Sequence, residues 1–246
     1  MYYGTNFGWI LRLFSYNRGM KIYHGSKYII EKPIFKGSDP KNDYGPAFYT
    51  TLSLDAAKIW ACKSDTLGIV NEYEISDKTY NNFKILDLTD KTKYTILNWL
   101  AILMHFRETG SKFEEQNKII LNWLEKYYID VESYDVVIGY RADDAYFRFP
   151  IHFINTELSV EDLDNVFLSG CLEIQHAFMS EKAIKALKFK KTIKCEEKFI
   201  GVYFEIVKKL TKQIDSLAHQ QRNPDKTYIL DLMRKENEWV LFIRIC

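Results

Sequence analysis

The sequence predicts an α+β protein with a mostly antiparallel sheet and helices segregated from that sheet. Three observations lead to this prediction. Short runs with apolar residues at alternate positions, typical of half-buried strands, occur in several parts of the chain. Longer segments place apolar residues at helical spacing. No repeat period and no low-complexity tract is found, which argues against a repeat architecture.

Length and composition fit one globular domain. The 246 residues are 47% hydrophobic and 15% aromatic, enough to bury one core. The formal net charge is +1 and the basic residues are spread along the chain, so a broad electrostatic grip on nucleic acid is not expected. The 4 cysteines have neither a C-x-x-C pair nor zinc-type spacing. We therefore expect reduced thiols, no bound metal and a cytoplasmic location.

The first residues of the chain do not resemble a targeting segment. Arg12 interrupts their apolar run, and no basic stretch precedes it. The run is also shorter than the about 20 apolar residues that span a bilayer, so no membrane association is expected. A start at Met20 would leave residues 1–19 as an optional N-terminal extension, with residues 20–246 as the single domain.

The first predicted elements follow Met20. Residues 20–24 form a predicted strand, and the turn-forming residues of 36–46 predict a mobile loop. An extended segment follows at 47–51. Ser53 is a suitable N-cap for a helix over about 54–64.

The middle of the chain adds two strands and two helices. Alternating polarity predicts strands over 68–75 and 83–88, which we expect to be neighbours in the sheet. Apolar residues at helical spacing predict helices over 92–108 and 112–127. Together these helices form a predicted helical insertion of about 92–128.

A short apolar strand over 134–139 leads into a polar loop, where functional residues are often found. After a helix near 160–168, the next strand places Glu173 and Gln175 on one face and His176 on the other.

The C-terminal part of about 196–246 is mainly helical in this prediction. We expect a long helix over 196–222, a second helix within 227–236 after the Asn223-Pro224 break, and a closing strand over 238–246.

Several common activities lack their motifs. The chain contains no phosphate-binding P-loop, no G-x-G-x-x-G dinucleotide loop, no H-E-x-x-H zinc helix and no G-x-S-x-G elbow. Ordinary kinase, dehydrogenase, zincin and esterase functions therefore lose support.

Four ordered segments nevertheless resemble a known family. They are "YHGS", "GPAFYTTLSLDAAKIWA", "YDVVIGYRADDAYF" and "QHAFMSEKAIKALKF". In this order they resemble the ADP-ribosyltransferase superfamily, and more closely a bacterial group of uncharacterised ADP-ribosyltransferase-like proteins. The resemblance covers most of residues 20–190 and implies a split antiparallel sheet with segregated helices.

The resemblance also implies a site for NAD as the substrate. His24 would hydrogen-bond a ribose hydroxyl, and the main chain of Gly25 would pair with the nicotinamide carboxamide. Tyr49 would stack on the nicotinamide ring. Ser26 and Thr50, beside these residues, are assigned to the same site. Taken singly, His24 and Tyr49 fit better as a partly buried imidazole and a core aromatic, and it is the ordered neighbouring motifs that favour the nicotinamide site.

The third position of the site departs from the pattern of the superfamily. Where a glutamate is usual, the aligned residue is Gln175, which can orient the ribose but carries no charge to oppose a developing cation. Glu173, on the same strand face, could supply the carboxylate; a solvent-facing structural role fits it equally well.

Polar residues after the 134–139 strand complete the candidate site. Arg141 could meet a pyrophosphate, and Asp144 could bind ribose hydroxyls or activate an acceptor. Asp143 and Asp144 would also fit an N-cap and a first helical turn.

The resemblance implies an NAD-dependent ADP-ribosyltransferase that modifies a protein or nucleic-acid acceptor. A toxin or defence factor with a neutralising partner would fit this activity. Gln175 keeps open a second function, a non-catalytic module that binds NAD or ADP-ribose. A third is an interaction protein that uses residues 92–128 as its partner surface.

Overall fold

The protein, represented by a computed structural model, is described over residues 19–142, 146–168 and 173–236. The predicted extension up to residue 18 and the predicted closing strand over 238–246 lie outside these ranges. The strands in chain order are β1 Gly19–Ser26, β2 Phe48–Thr50, β3 Ile69–Ser76, β4 Ile85–Asp87, β5 Val136–Tyr140, β6 Ile174–Phe178 and β7 Lys188–Lys194.

Helices occupy the segments between these strands and the C-terminal part. In chain order they are α1 Leu54–Ala61, α2 Asp77–Tyr80, α3 Ile96–Phe106, α4 Ser111–Gln116, α5 Lys118–Leu124, α6 Arg148–Ile154, α7 Val160–Leu168, α8 Glu181–Lys185, α9 Val202–Ala218 and α10 at 229–236.

Two open sheets confirm the predicted α+β class. The first sheet is antiparallel, in the order β1-β3-β7. The second has the order β2-β6-β5-β4, with β4 parallel to β5 and the other pairs antiparallel. The prediction that β3 and β4 are neighbours was wrong, because they belong to different sheets. β4 pairs instead with β5, about fifty residues further along the chain.

The two sheets meet where β1 approaches the end of β2. An isolated antiparallel bridge joins Tyr23 to Thr51, and each backbone N–H donates to the other carbonyl at 2.9 Å. Next to this bridge α1 packs closely against β1 at Gly25. A cavity lined by residues of both sheets lies beside it.

The apolar faces of α3 and α5 are used by the chain's own core. Trp99, Leu100 and Ile102 of α3 are fully or almost fully buried, in a cluster that also contains Val137 of β5. The Trp99 indole N–H donates to the Tyr140 carbonyl at 3.1 Å. The α3 and α5 part of the predicted insertion of 92–128 therefore packs into the main core, while Ile119 of α5 is 78% exposed.

Local hydrogen bonds explain where several helices begin and break. Ser53 caps α1 as predicted, and its Oγ accepts from the Ala56 N–H at 3.1 Å. The helix predicted over 112–127 is divided at Asn117, whose side-chain amide donates to the Phe113 carbonyl. The long C-terminal helix begins later than predicted, after Gly201, which has a φ of 78°.

Candidate functional site

A cavity of about 420 Å³ opens at the junction of the two sheets. Its walls come from β1, β2, β6, α1 and the segment 27–47 that connects the first two strands. Six of the predicted site residues line it together: His24, Gly25, Tyr49, Thr50, Arg141 and Gln175. Strands of both sheets thus contribute to one cavity, although Gln175 lies about 125 positions after Tyr49 in the sequence.

His24 is held in one tautomer at the cavity wall. Its Nδ1 lies 2.7 Å from the Tyr49 carbonyl oxygen, which can only accept, so Nδ1 carries the proton. The ring stacks on Phe48 with centroids 4.6 Å apart. Burial lowers the pKa of His24; the Tyr49 carbonyl opposes this shift and the charge of Arg141 adds to it. The imidazole is therefore neutral at pH 7, and its Nε2 is an acceptor.

Gly25 has a packing role and also presents its backbone to the cleft. A Cβ at this position would lie 2.1 Å from the Ala57 carbonyl oxygen, so only glycine lets α1 approach β1 this closely. Backbone groups of alternate strand residues point to the same edge. The Gly25 N–H and C=O therefore face the same side as those of Tyr23, beyond the bridge to Thr51. Within the described ranges no backbone group pairs with them there.

Tyr49 is fixed by two hydrogen bonds of its hydroxyl, one donated and one accepted. The Oη donates to the Gly45 carbonyl at 2.7 Å and accepts from the Tyr44 N–H at 3.0 Å. Burial raises the pKa of Tyr49 well above its usual value, so the phenol is neutral. Its neighbour Thr50 also lines the cavity, but the Thr50 hydroxyl donates to the His176 carbonyl at 2.9 Å.

Gln175 is bonded to a carboxylate that the sequence analysis did not identify. Its side-chain Nε2 donates to Asp43 Oδ2 at 2.8 Å, and the same oxygen accepts from the Ala142 N–H at 2.8 Å. Gln175 is 3% exposed and Asp43 is 6% exposed. The amide of Gln175 is therefore oriented by Asp43, a residue far away in the sequence.

The prediction of a mobile loop over 36–46 was wrong for its second half. Tyr44 is fully buried, and its hydroxyl donates to the Tyr140 carbonyl at 2.7 Å. Gly139 makes room for this ring, because a Cβ there would lie 2.1 Å from Tyr44 Oη. This anchor fixes the backbone that carries Asp43.

Asp43 has an arginine beside its second carboxylate oxygen. Arg107 Nη1 lies 3.6 Å from Asp43 Oδ1, and the Arg107 guanidinium lies 4.9 Å from the centre of the Phe147 ring. Burial raises the pKa of Asp43, while the bond from Ala142 and the charge of Arg107 act against that shift.

Arg141 lines the cavity between an aromatic ring and an acidic side chain. The guanidinium sits over the Trp60 ring, 4.1 Å from its centre, and both residues line the cavity. Arg141 Nη1 is 3.3 Å from Glu173 Oε2. Glu173 and Ser26 are not among the described cavity residues; Ser26 Oγ instead accepts from the Tyr28 N–H. Asp144 lies outside the described residues.

The cavity residues that the sequence analysis did not identify include Asp43, Trp60 and Arg107. Asp43 stands in a polar run that is typical of a turn, and its burial depends on the distant anchor of Tyr44. Arg107 directly follows a core helix, where a basic residue is ordinarily a helix end. Trp60 shares a helix face with other apolar residues, and this pattern predicts packing alone.

His176 was predicted to point away from Gln175, and the structure confirms this. Its Nδ1 lies 2.8 Å from the Tyr80 hydroxyl, away from the cavity. Cys62 and Cys195 are free, buried thiols. Over the described ranges no cluster of three histidine, cysteine or acidic residues could hold a metal ion. In the same ranges no helix has the length and apolar character needed to cross a membrane.

Comparison with known proteins gives a family for the chain. Neither the curated proteins nor the solved structures contain a match. A family model described as "Protein of unknown function (DUF3990)" matches residues 20–189, which is more than half of the chain and includes β1 to β6 with every cavity residue. The chain therefore belongs to the DUF3990 family.

Proposed function

We propose that the protein binds NAD in the cavity and transfers the ADP-ribose group to a macromolecular acceptor. One observation carries the proposal: His24, Gly25, Tyr49 and Gln175 line the same space. These are the residues that the resemblance to ADP-ribosyltransferases assigns to the nicotinamide end of NAD.

The hydrogen-bonding states of the first three residues suit these roles. His24 Nε2 is an acceptor for a ribose hydroxyl, because Nδ1 already donates to the Tyr49 carbonyl. The Gly25 N–H and C=O face the cleft and can pair with the two ends of a carboxamide. Tyr49 offers a rigid ring for stacking, since both bonds of its hydroxyl hold it in place.

The basic residues of the cavity suit the phosphates of the same substrate. Arg141, fixed over Trp60, and Arg107 both reach the cavity wall. A guanidinium offers a fork of donors to phosphate oxygens.

The transfer step needs little acid assistance. The bond between the ribose anomeric carbon and the nicotinamide nitrogen breaks with both electrons going to the ring, which leaves as neutral nicotinamide. The acceptor nucleophile then forms the new bond to the anomeric carbon and releases its proton. The protein's part is to orient the ribose through His24 and Gln175, and to exclude water.

The first experiment measures nicotinamide release from labelled NAD in the presence of cell extract. We expect His24→Ala and Tyr49→Ala to lower the rate by about a hundredfold, because each removes a contact that positions the reacting bond. His219→Ala is the matched control, since His219 is exposed at the end of α9. Undiminished turnover in both folded cavity variants would refute the assignment. Separation of protein from nucleic acid then identifies the labelled acceptor class.

Gln175 favours a second candidate, a non-catalytic module that binds NAD or ADP-ribose. Its amide has no negative charge, and its Nε2 is already bonded to Asp43. Calorimetry separates the two functions: NAD binding with no nicotinamide release, across many acceptors, would support the binding module. A role as a toxin or defence factor, with a neutralising partner, belongs to the transferase proposal and rests on the resemblance alone.

A further inference from the structure

Asp43 is the sole acidic side chain among the described residues that line the cavity. The cavity also contains three basic residues: Lys32, Arg107 and Arg141. A buried carboxylate in such a space is costly unless its geometry and partners are well defined. Its position therefore calls for a reason.

The carboxylate of Asp43 is held in a fixed orientation. Oδ2 accepts from the Ala142 N–H and from Gln175 Nε2, both at 2.8 Å. Oδ1 is 3.6 Å from Arg107, longer than an ordinary hydrogen bond between charged groups. The carboxylate is therefore fixed beside Gln175, and its nearest cation lies beyond ordinary hydrogen-bond distance.

Asp43 is also tied to the ring that we assign to nicotinamide stacking. The next residue, Tyr44, donates its backbone N–H to the Tyr49 hydroxyl at 3.0 Å. Tyr44 itself is anchored to β5 through the Tyr140 carbonyl. The carboxylate and the Tyr49 ring thus belong to one rigid unit at the same end of the cavity.

We propose that Asp43 makes the site selective for dinucleotides with a cationic nicotinamide ring over their reduced, neutral counterparts. This inference rests on the proposed NAD site. The oxidised ring carries a positive charge and the reduced ring does not, so a fixed and buried carboxylate stabilises only the former. Gln175 has no charge to do this.

The acidic limit of this selectivity follows from the groups around Asp43. Two cations act on the carboxylate: Arg107, which directly follows α3, and Arg141, which directly follows β5. The Ala142 N–H and the Gln175 amide donate hydrogen bonds to it. Burial raises the pKa of Asp43 despite these groups. Protonation removes the charge, so the preference for the oxidised ring weakens as pH falls.

The test is calorimetry on the full chain with three ligands: oxidised NAD, reduced NAD and ADP-ribose, which lacks the nicotinamide ring. The variants are Asp43→Asn and the double variant Asp43→Asn/Gln175→Glu, which moves the carboxylate to the neighbouring side chain. We expect Asp43→Asn to lower the affinity for oxidised NAD by about tenfold. The affinities for reduced NAD and ADP-ribose should fall by less than about twofold. The double variant should regain most of the preference for the oxidised form.

The outcomes separate this inference from the proposed function. Equal weakening of all three ligands would mean that Asp43 only supports the wall, and would overturn the inference. So would unchanged oxidised-NAD binding in Asp43→Asn, or a folded double variant that does not recover the preference. If the wild-type chain binds none of the ligands, the proposed function fails and the inference fails with it.

A measurement on the wild-type chain avoids dependence on the folding of the variants. The ratio of oxidised to reduced NAD affinity is measured over a pH series that covers the whole range in which the chain stays folded. A ratio that falls as the pH is lowered supports the inference. A ratio that stays constant over the whole series contradicts it.

Discussion

Two histidines on strands of different sheets show how the surroundings of a single residue decide its role. His24 of β1 and His176 of β6 both have their pKa lowered by burial. His24 lines the cavity and leaves Nε2 as an acceptor, whereas His176 is 6% exposed and bonded to Tyr80. The same lowering of the pKa therefore leaves His24 neutral for ligand binding, and it makes buried His176 a source of instability at low pH.

His176 should make the fold sensitive to acid. Burial lowers its pKa from 6.5 to about 4, with the charge of Asp87 opposing the shift. The unfolded chain then binds the proton more readily, so the stabilisation is present above pH 6.5 and is lost as pH falls toward 4. We expect His176→Asn to reduce the stability difference between pH 7 and pH 5 by about 2 kcal/mol.

The measurement is urea unfolding at several pH values. His219→Asn is the control, because His219 is exposed and its replacement should leave the pH profile as in the wild type. Equal acid sensitivity of the wild type and His176→Asn would show that His176 does not govern this loss. His24 titrates in the same direction, so some sensitivity should remain in the variant.

At the scale of elements, α1 connects a local sequence signal to the cavity. Ser53 caps its first turn, and the helix carries Ala57 and Trp60 in the cavity wall. The cap and the helix could be predicted because both depend on neighbouring residues. The stacking of Arg141 on Trp60 could not, because it depends on how β5 is placed relative to α1.

Ser53→Ala should lower both stability and NAD affinity. Loss of the hydrogen bond that the Ala56 N–H donates to Ser53 Oγ is expected to cost about 1 kcal/mol of unfolding free energy. Fraying of the first turn also loosens Ala57 against Gly25. Urea unfolding and calorimetry measure the two effects.

Ser76→Ala provides the matched cap control for this prediction. Ser76 Oγ accepts from the Thr79 N–H at 3.1 Å, but it caps α2, which does not line the cavity. This variant should lose stability and retain NAD affinity. If both variants weaken NAD equally, the effect on binding comes from general destabilisation rather than from α1.

At the scale of the whole molecule, the fold class could be predicted but the division into two sheets could not. Alternation along β3 and β4 identifies two strands, yet nothing in their spacing reveals that they pair with β7 and β5, respectively. The carboxylate of Asp43 could not be predicted for the same reason. Asp43 meets Gln175 across 132 positions of sequence, a contact that only the assembled molecule creates.

A cavity shared by the two sheets predicts how NAD should affect the whole fold. β1 contributes His24 and Gly25, while β2 and β6 contribute Tyr49 and Gln175. NAD at a hundred times its Kd should raise the unfolding free energy by about 2.7 kcal/mol. Because the ligand spans the cleft, amide exchange should slow in β1 and β6 together. His24→Ala should lose both effects at the same NAD concentration, and protection confined to one sheet would place the ligand outside the cleft.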